Sequence, residues 1–393
     1  MQRARMESGP PSRPYGFLVA AWALNVCINA FYIVPTAVFP EMSADLGISK
    51  AQGGSLISIY LIAIMLFQIP GGYASDRVDP RKTIVVASLV LLAITALMAA
   101  VPRYDVLLAL RFLAGIPVAF IFAPSAFLVS RAFADRPGRA VGLFLSAPPA
   151  GVALGNLFAP LIAGPKEWPF TFVAFNLPLL AILPMFIVAA AKIPPRVHEP
   201  FALADYVRAF RSTELWKVGL VFACSYAAYI FYSGWSRTYL KEEGLLPLAF
   251  AAIIAMLVPA AGILSRPLGG FLAETAFKKD KRRVIVLSFL LLAAVSPAVV
   301  PLGTLGIPLL VAGGFLAQFP FSVYYLFSSQ ILERRFAGTA YAFMNAISII
   351  GGAVSPALAG YLRDTTGSFL FAFLMIAMTA ILGLFLVSTV RER

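Results

Sequence analysis

Apolar runs of about 20 residues recur along this 393-residue chain, and a helix of that length crosses a hydrocarbon core of roughly 30 Å. A chain that is 60% hydrophobic and only 12% charged cannot hide so many such helices in a water-soluble core. Twelve spans fit. Six lie near residues 16–39, 52–75, 83–101, 105–130, 138–163 and 169–191, and six near 215–240, 248–273, 284–302, 306–331, 338–361 and 368–390. A polar stretch at 192–214 separates an N-terminal unit, 1–191, from a C-terminal unit, 215–393.

The net charge of +13 first suggests nucleic acid, but the basic residues do not form one patch. They fall in alternate loops: Arg3, Arg5 and Arg13, then Arg77, Arg81 and Lys82, then Arg131, Arg136 and Arg139. The series continues with the linker, Lys278 to Arg283, Arg334 with Arg335, and Arg391 with Arg393. The intervening loops hold scattered charges such as Lys50, Arg103, Lys166, Lys241 and Arg363. The positive-inside rule then puts both termini and the linker on the cytoplasmic side of the cell membrane and leaves no case for nucleic acid. Cys27 and Cys224 both fall in spans, so neither a disulfide framework nor a metal site is expected. The basic N-terminal segment runs into an apolar stretch of full spanning length, which reads as the first helix rather than a removed signal.

An internal echo sets the organisation. Leu61 to Lys82 and Leu257 to Arg283 each carry an apolar helix into a Gly-Gly pair, an acid four residues later and a basic cluster. Gly71, Gly72 and Asp76 answer to Gly269, Gly270 and Glu274, and Gln68 answers to Arg266. The segment GGYASDRVDPRK resembles the loop 2–3 signature of the major facilitator superfamily, G-x-x-x-D-R-x-G-R-[RK], through Gly72, Asp76, Arg77, Arg81 and Lys82. Asp79 and Pro80 depart from it. Arg111 and Gly115 resemble the R-x-x-x-G signature of the fourth span. The resemblance implies an all-α integral membrane fold of twelve transmembrane helices in two pseudo-symmetric six-helix bundles. It also implies a monomeric secondary transporter, not an enzyme, that moves a small molecule by alternating access without a cofactor. The signature residues, with Gly270 and Glu274, would form the cytoplasmic gate, and the first, fourth, seventh and tenth spans would line a central cavity.

Three of those four spans carry polar and aromatic residues at i, i+4 and i+7, one face of a helix. They are Asn25, Asn29 and Tyr32, then Ser225, Tyr229 and Tyr232, then Gln318, Ser322 and Tyr325. Such residues avoid lipid because an unpaired amide in hydrocarbon costs several kcal/mol. Each stripe alone also fits helix–helix packing. Asn345 in the eleventh span joins the candidate substrate-binding set. The fifth span holds Pro148, Pro149, Gly151, Gly155 and Asn156, so it should bend, and the resemblance packs it against the eighth.

Arg266 is the strongest candidate. It lies about eight residues, roughly 12 Å, inside the eighth span, where a lipid-facing arginine is costly. No acid occurs in the middle of any expected span, so an anionic substrate is its natural partner, with a backbone carbonyl or Glu274 as alternatives. Arg111 lies about six residues, roughly 9 Å, inside the outer end of its span, within reach of Asp105, and serves either structure or substrate. The fragment SRPLGG resembles the helix 8 arginine motif of nitrate/nitrite porters. Oxalate/formate and monocarboxylate porters carry an arginine there too. Gln68 stands where nitrate porters have a second arginine, and the eleventh span has no basic residue before Arg363, which points to a monoanion. A drug exporter of the same superfamily and a non-transporting sensor are the alternatives. No HExxH motif or P-loop marks an enzyme or a nucleotide-driven pump. The lone His198 reads as a solvated linker residue, and 202–210 as a short amphipathic surface helix.

Overall fold

The computed structural model describes residues 15–133, 140, 143–164, 166–191, 193, 211–278, 280–331 and 337–390. No strand occurs among them, and each of the twelve expected spans contains a helix. The N-terminal half holds α1 (Tyr15–Ala37), α2 (Phe39–Leu46), α3 (Lys50–Arg77), α4 (Pro80–Ala100), α5 (Tyr104–Ala132), α6 (Ala147–Ile162), α7 (Phe170–Ala174) and α8 (Leu179–Ala190). The C-terminal half holds α9 (Thr213–Glu242), α10 (Leu248–Glu274), α11 (Arg282–Ala298), α12 (Ile307–Gln318), α13 (Phe321–Ile331), α14 (Ala337–Thr366) and α15 (Leu370–Ser388). Among the described residues ten helical segments are long and apolar enough to cross a membrane. The other two expected spans, 138–163 and 284–302, correspond to the 16-residue α6 and the 17-residue α11. Most of the expected linker, with His198 and 202–210, lies outside the described residues.

Local chemistry explains where the helices depart from expectation. The expected spans at 169–191 and 306–331 are each split, at Pro178 and Pro320, because proline offers no N–H to continue the ladder. The first span stops at Ala37 and turns into α2, a short helix absent from the expectation. Gly47 ends α2 in the left-handed region (φ 65°), and its N–H donates to the Ser43 carbonyl at 3.0 Å. Asp79 and Pro80, the departures from the loop signature, start α4: the Asp79 carboxylate accepts from the Arg81 N–H at 3.0 Å and Pro80 takes the first turn.

The internal echo is a packing device. Gly71 of α3 abuts the Ala119 carbonyl of α5, where a Cβ would come within 2.8 Å, and Gly269 of α10 abuts the Phe319 carbonyl just past α12. Reciprocally, Gly115 of α5 faces the Tyr60 carbonyl, and Gly314 of α12 faces the Val258 carbonyl. The second and fourth spans of each half thus meet backbone to backbone, which only small residues permit.

The halves meet along two seams. Gly54 of α3 lies against the Pro356 backbone of α14, and Gly360 of α14 against the Lys50 carbonyl, with no room for a side chain at either place. At the second seam α6 packs on α10, as expected of the fifth and eighth spans, and Pro148 and Pro149 stand in the first turn of α6 rather than in mid-helix. There the Asn156 amide bridges the halves, donating to the Ser233 carbonyl at 2.9 Å and the Ala255 carbonyl at 3.1 Å. Gly151 and Gly155 of α6 bring it close to the α1 backbone at Val26 and Ala30.

Candidate functional site

A cavity of ≈ 120 Å³ lies between the halves. From the N-terminal half α1 presents Asn25, Ile28, Asn29 and Tyr32, the face its sequence spacing marks, and α3 presents Tyr60 and Gln68. From the C-terminal half come Phe222, Tyr226 and Tyr229 of α9, Arg266 of α10, Phe321 of α13 and Asn345 of α14. Six of the expected side chains, Asn25, Asn29, Tyr32, Gln68, Tyr229 and Asn345, are thereby brought together with Arg266.

Arg266 is the single charged residue among the described lining residues. Its Nη2 donates to Gln318 Oε1 at 2.8 Å, and its guanidinium carbon sits 4.7 Å from the Phe321 ring centre and 5.5 Å from that of Tyr229. The aromatic faces steady a cation electrostatically while leaving its N–H edge available. Gln318 is buried behind the arginine rather than on the cavity wall. Its Nε2 donates to the carbonyls of Gly314 (3.1 Å) and Pro259 (3.3 Å), which fixes Oε1 toward the guanidinium. Gly262 makes the space for it, since a Cβ there would overlap the Gln318 amide. Ser322 caps the arrangement, donating to the Arg266 carbonyl at 2.6 Å.

Two expectations change. Tyr232 does not face the cavity: it is buried against Phe231 and Phe373 and donates to Ser296 Oγ at 3.0 Å. The cavity face of α9 is Phe222, Tyr226 and Tyr229, itself an i, i+4, i+7 stripe, so the face containing Ser225 is rotated away and that serine pairs with Tyr324 at 2.7 Å. Gln318 supports the site instead of lining it, because the break at Pro320 gives α12 and α13 separate registers and puts Phe321 on the wall. The Tyr325 side chain lies outside the described residues.

Residues 21–316 match the family model described as Major Facilitator Superfamily. The chain belongs to that superfamily. It is 25% identical over 360 residues to the hexuronate transporter of Bacillus subtilis, covering 86% of this chain and 85% of that protein. It is 23% identical over 363 residues to the cyanate transport protein of Escherichia coli, covering 89% and 90%. A bacterial homologue of the human lysosomal transporter Spinster, crystallised inward-facing and occupied, shares the fold with a TM-score of 0.76 at 16% identity, covering 98% of this chain and 96% of that one. The protein is a multi-pass membrane transporter of the major facilitator superfamily, not an enzyme.

Within the superfamily fold Arg111 has a structural place. It is fully buried and does not reach Asp105, which pairs with Arg103 at 3.0 Å. Its Nε donates to the Leu56 carbonyl of α3 (3.0 Å), and its terminal nitrogens donate to the Tyr32 (2.8 Å) and Phe31 (3.4 Å) carbonyls of α1. The guanidinium also lies 4.3 Å from the Tyr60 ring centre. One planar fork thus ties three helices together directly behind the cavity wall.

A third deep arginine, Arg237, does not figure in the expected site, and its partner Glu41 lies in the unexpected α2. Arg237 Nη2 and Nη1 donate to Glu41 Oε1 (2.8 Å) and Oε2 (3.0 Å), and Nη1 also donates to the Ala37 carbonyl. Burial alone would raise the Glu41 carboxyl, but the bidentate bond and charge of Arg237 hold it below the usual carboxylate value. The pair joins the halves at the α2 end. Scattered loop charges gather beside it: Glu242 takes Lys50 (3.2 Å) and Arg363 (3.3 Å), and Asp364 accepts the Lys50 and Ala51 N–H groups at the start of α3. Phe39 and Trp235 pack edge-on at 5.5 Å, and Trp235 donates to the Pro356 carbonyl at 3.2 Å. An arginine inside an apolar run, SGWSRTYL, was the available signal.

Of the expected gate residues, Arg81 donates to the Ile193 carbonyl and Lys82 is exposed on α4. Gly270 packs on Ser322, where a Cβ would come within 3.0 Å, and Glu274 is exposed at the end of α10. The surroundings of Gly72, Asp76 and Arg77 lie outside what the structure describes.

Proposed function

We propose that this transporter carries a small organic or inorganic monoanion across the cell membrane as a monomer. Both termini and the 192–214 linker are cytoplasmic, and residues 1–191 and 215–393 rock as two bundles. The observation that carries the reading is Arg266: one guanidinium, on an aliphatic and aromatic wall with no carboxylate among the described lining residues. Such a site attracts one negative charge and offers no counter-charge to a cationic drug. The relatives named for hexuronate and cyanate transport, both anions, support it. No carboxylate or histidine stands among the described lining residues to take up a proton, so coupling proceeds by exchange of one anion for another or by a proton that the substrate carries.

The test is ligand-induced stabilisation of the purified protein by monocarboxylates and inorganic monoanions against neutral controls, since a bound ligand raises apparent stability. Arg266→Gln should weaken anion binding about 10- to 100-fold while the unliganded melting temperature holds, and Arg266→Lys should restore little, because a point charge does not reproduce the fork. Undiminished binding in Arg266→Gln would sink the assignment.

The same reading makes Asp76 and Glu274, with Gly72, Arg77, Arg81, Lys82 and Gly270, parts of the cytoplasmic gate. Neutralising either acid should slow uptake into proteoliposomes with little change in equilibrium binding, because helix-end charges act on closure rather than on the ligand. A large loss of affinity with unchanged turnover would reverse that role.

A further inference from the structure

Five buried polar atoms on residues that line the cavity have no hydrogen-bond partner among the described residues: Asn25 Oδ1, Gln68 Oε1, Tyr32 OH, Tyr60 OH and Arg266 Nε. An unpaired buried polar group is costly, and so many around one cavity ask for a ligand that pairs them. Their chemistry is specific. Arg266 Nε is a cationic donor in the C-terminal half. Across the cavity Asn25 Oδ1 and Gln68 Oε1 are acceptors, and the two tyrosine hydroxyls both donate and accept. The Asn25 assignment is fixed by its own helix, because Nδ2 donates to the Ala21 carbonyl at 2.9 Å and leaves the oxygen as the unpaired end.

We infer that the substrate is a compact hydroxy-monocarboxylate, its carboxylate on Arg266 and a hydroxyl on the Asn25 and Gln68 side of the cavity. This rests on the monoanion reading and narrows it. Nitrate, cyanate and simple carboxylates present only acceptors at neutral pH, so they satisfy Arg266 and leave Asn25 Oδ1 and Gln68 Oε1 unpaired. A hydroxyl donates to an amide oxygen and also accepts from a tyrosine. The ligand that pairs both poles bridges the two halves, which suits a carrier that closes around its cargo. Size limits the class further. An apolar cavity of about 150 Å³ holds benzene, with its six heavy atoms, so ≈ 120 Å³ fits roughly five or six, which leaves the smallest members of the class, the size of lactate.

The experiment titrates the intact purified protein with glycerate, lactate, propionate, galacturonate and nitrate, reading ligand-induced thermal shift. Lactate should bind at least about tenfold more tightly than propionate, which lacks only its hydroxyl. In Gln68→Leu, and separately in Asn25→Leu, that ratio should fall toward one. The wild-type comparison needs no variant to fold. Equal binding of propionate and lactate would overturn the hydroxyl inference and leave the monoanion reading standing, as would nitrate binding more tightly than either. Tighter binding of galacturonate or glycerate than of lactate would overturn the size limit. Shifts by neutral controls with none by any anion would overturn the monoanion reading itself.

Discussion

Replacing Arg237 by methionine is expected to shift the resting protein out of the arrangement closed at its α2 end by about 150- to 4,000-fold. Removing one member of a buried ion pair costs about 3–5 kcal/mol, because the other charge is left without compensation. Here Glu41 would lose both of its bonds to Arg237, and the Ala37 carbonyl would lose a donor. Since the pair joins the halves, the cost falls on the closed arrangement and not on either half alone. Spin labels at Ala44 and Glu243, exposed residues of α2 and the end of α9, should report a longer or broader distance distribution in Arg237→Met, measured with both cysteines replaced by serine. The double variant Glu41→Leu/Arg237→Met should recover most of the closure, as apolar replacements of buried pairs often do. An unchanged distribution in the single variant would remove the pair from the closing machinery.

The same pair dictates a pH dependence. Burial raises the Glu41 carboxyl and the bonds and charge of Arg237 lead the groups that outweigh it, so without them its pKa is higher, and it is lower in the closed arrangement than in the open one. A depressed carboxyl contributes its full stabilisation above the open-state pKa and loses it as pH falls through the closed-state value. Closure should therefore be flat around neutrality and weaken only on acidification below the ordinary carboxylate range. Glu41→Gln should abolish that acid limb.

Periodicity carried most of the architecture, because each span must be apolar for its full length whatever it packs against. The paired glycines were equally legible: a Gly-Gly in an apolar helix signals close backbone approach, and Gly71 and Gly269 make it. What the pattern could not carry was azimuth. Spacing alone puts the α9 stripe on the face of Ser225 and Tyr232, whereas Phe222 and Tyr226 share the cavity face with Tyr229, because three neighbouring aromatic positions satisfy the same spacing. Partners were hidden for a different reason. Nothing local says that Glu41, beyond the end of the first span, meets Arg237 of the seventh, or that Lys50, Glu242, Arg363 and Asp364 converge. Such pairings are set by how the halves dock, and they read in sequence as stray loop charges.

Arg111→Ala should cost roughly 3–5 kcal/mol of stability, the largest folding effect expected of any single change in the N-terminal half. Three carbonyls on α1 and α3 would lose a charged donor, and a cavity would open against the Phe31 and Tyr60 rings. Methionine fills much of that volume without the bonds, so Arg111→Met should lose about half as much. Lysine should not restore stability, because a compact ammonium cannot span carbonyls on two helices that the planar fork reaches together. Thermal unfolding followed by size-exclusion chromatography measures all three. Substrate affinity should also fall in Arg111→Met, although the guanidinium never meets the ligand, since Tyr32 and Tyr60 stack at 5.6 Å over this support and form part of the cavity wall. A variant that loses binding at wild-type stability would instead make Arg111 a substrate ligand. Full rescue by lysine would show that its charge, rather than its geometry, holds the helices.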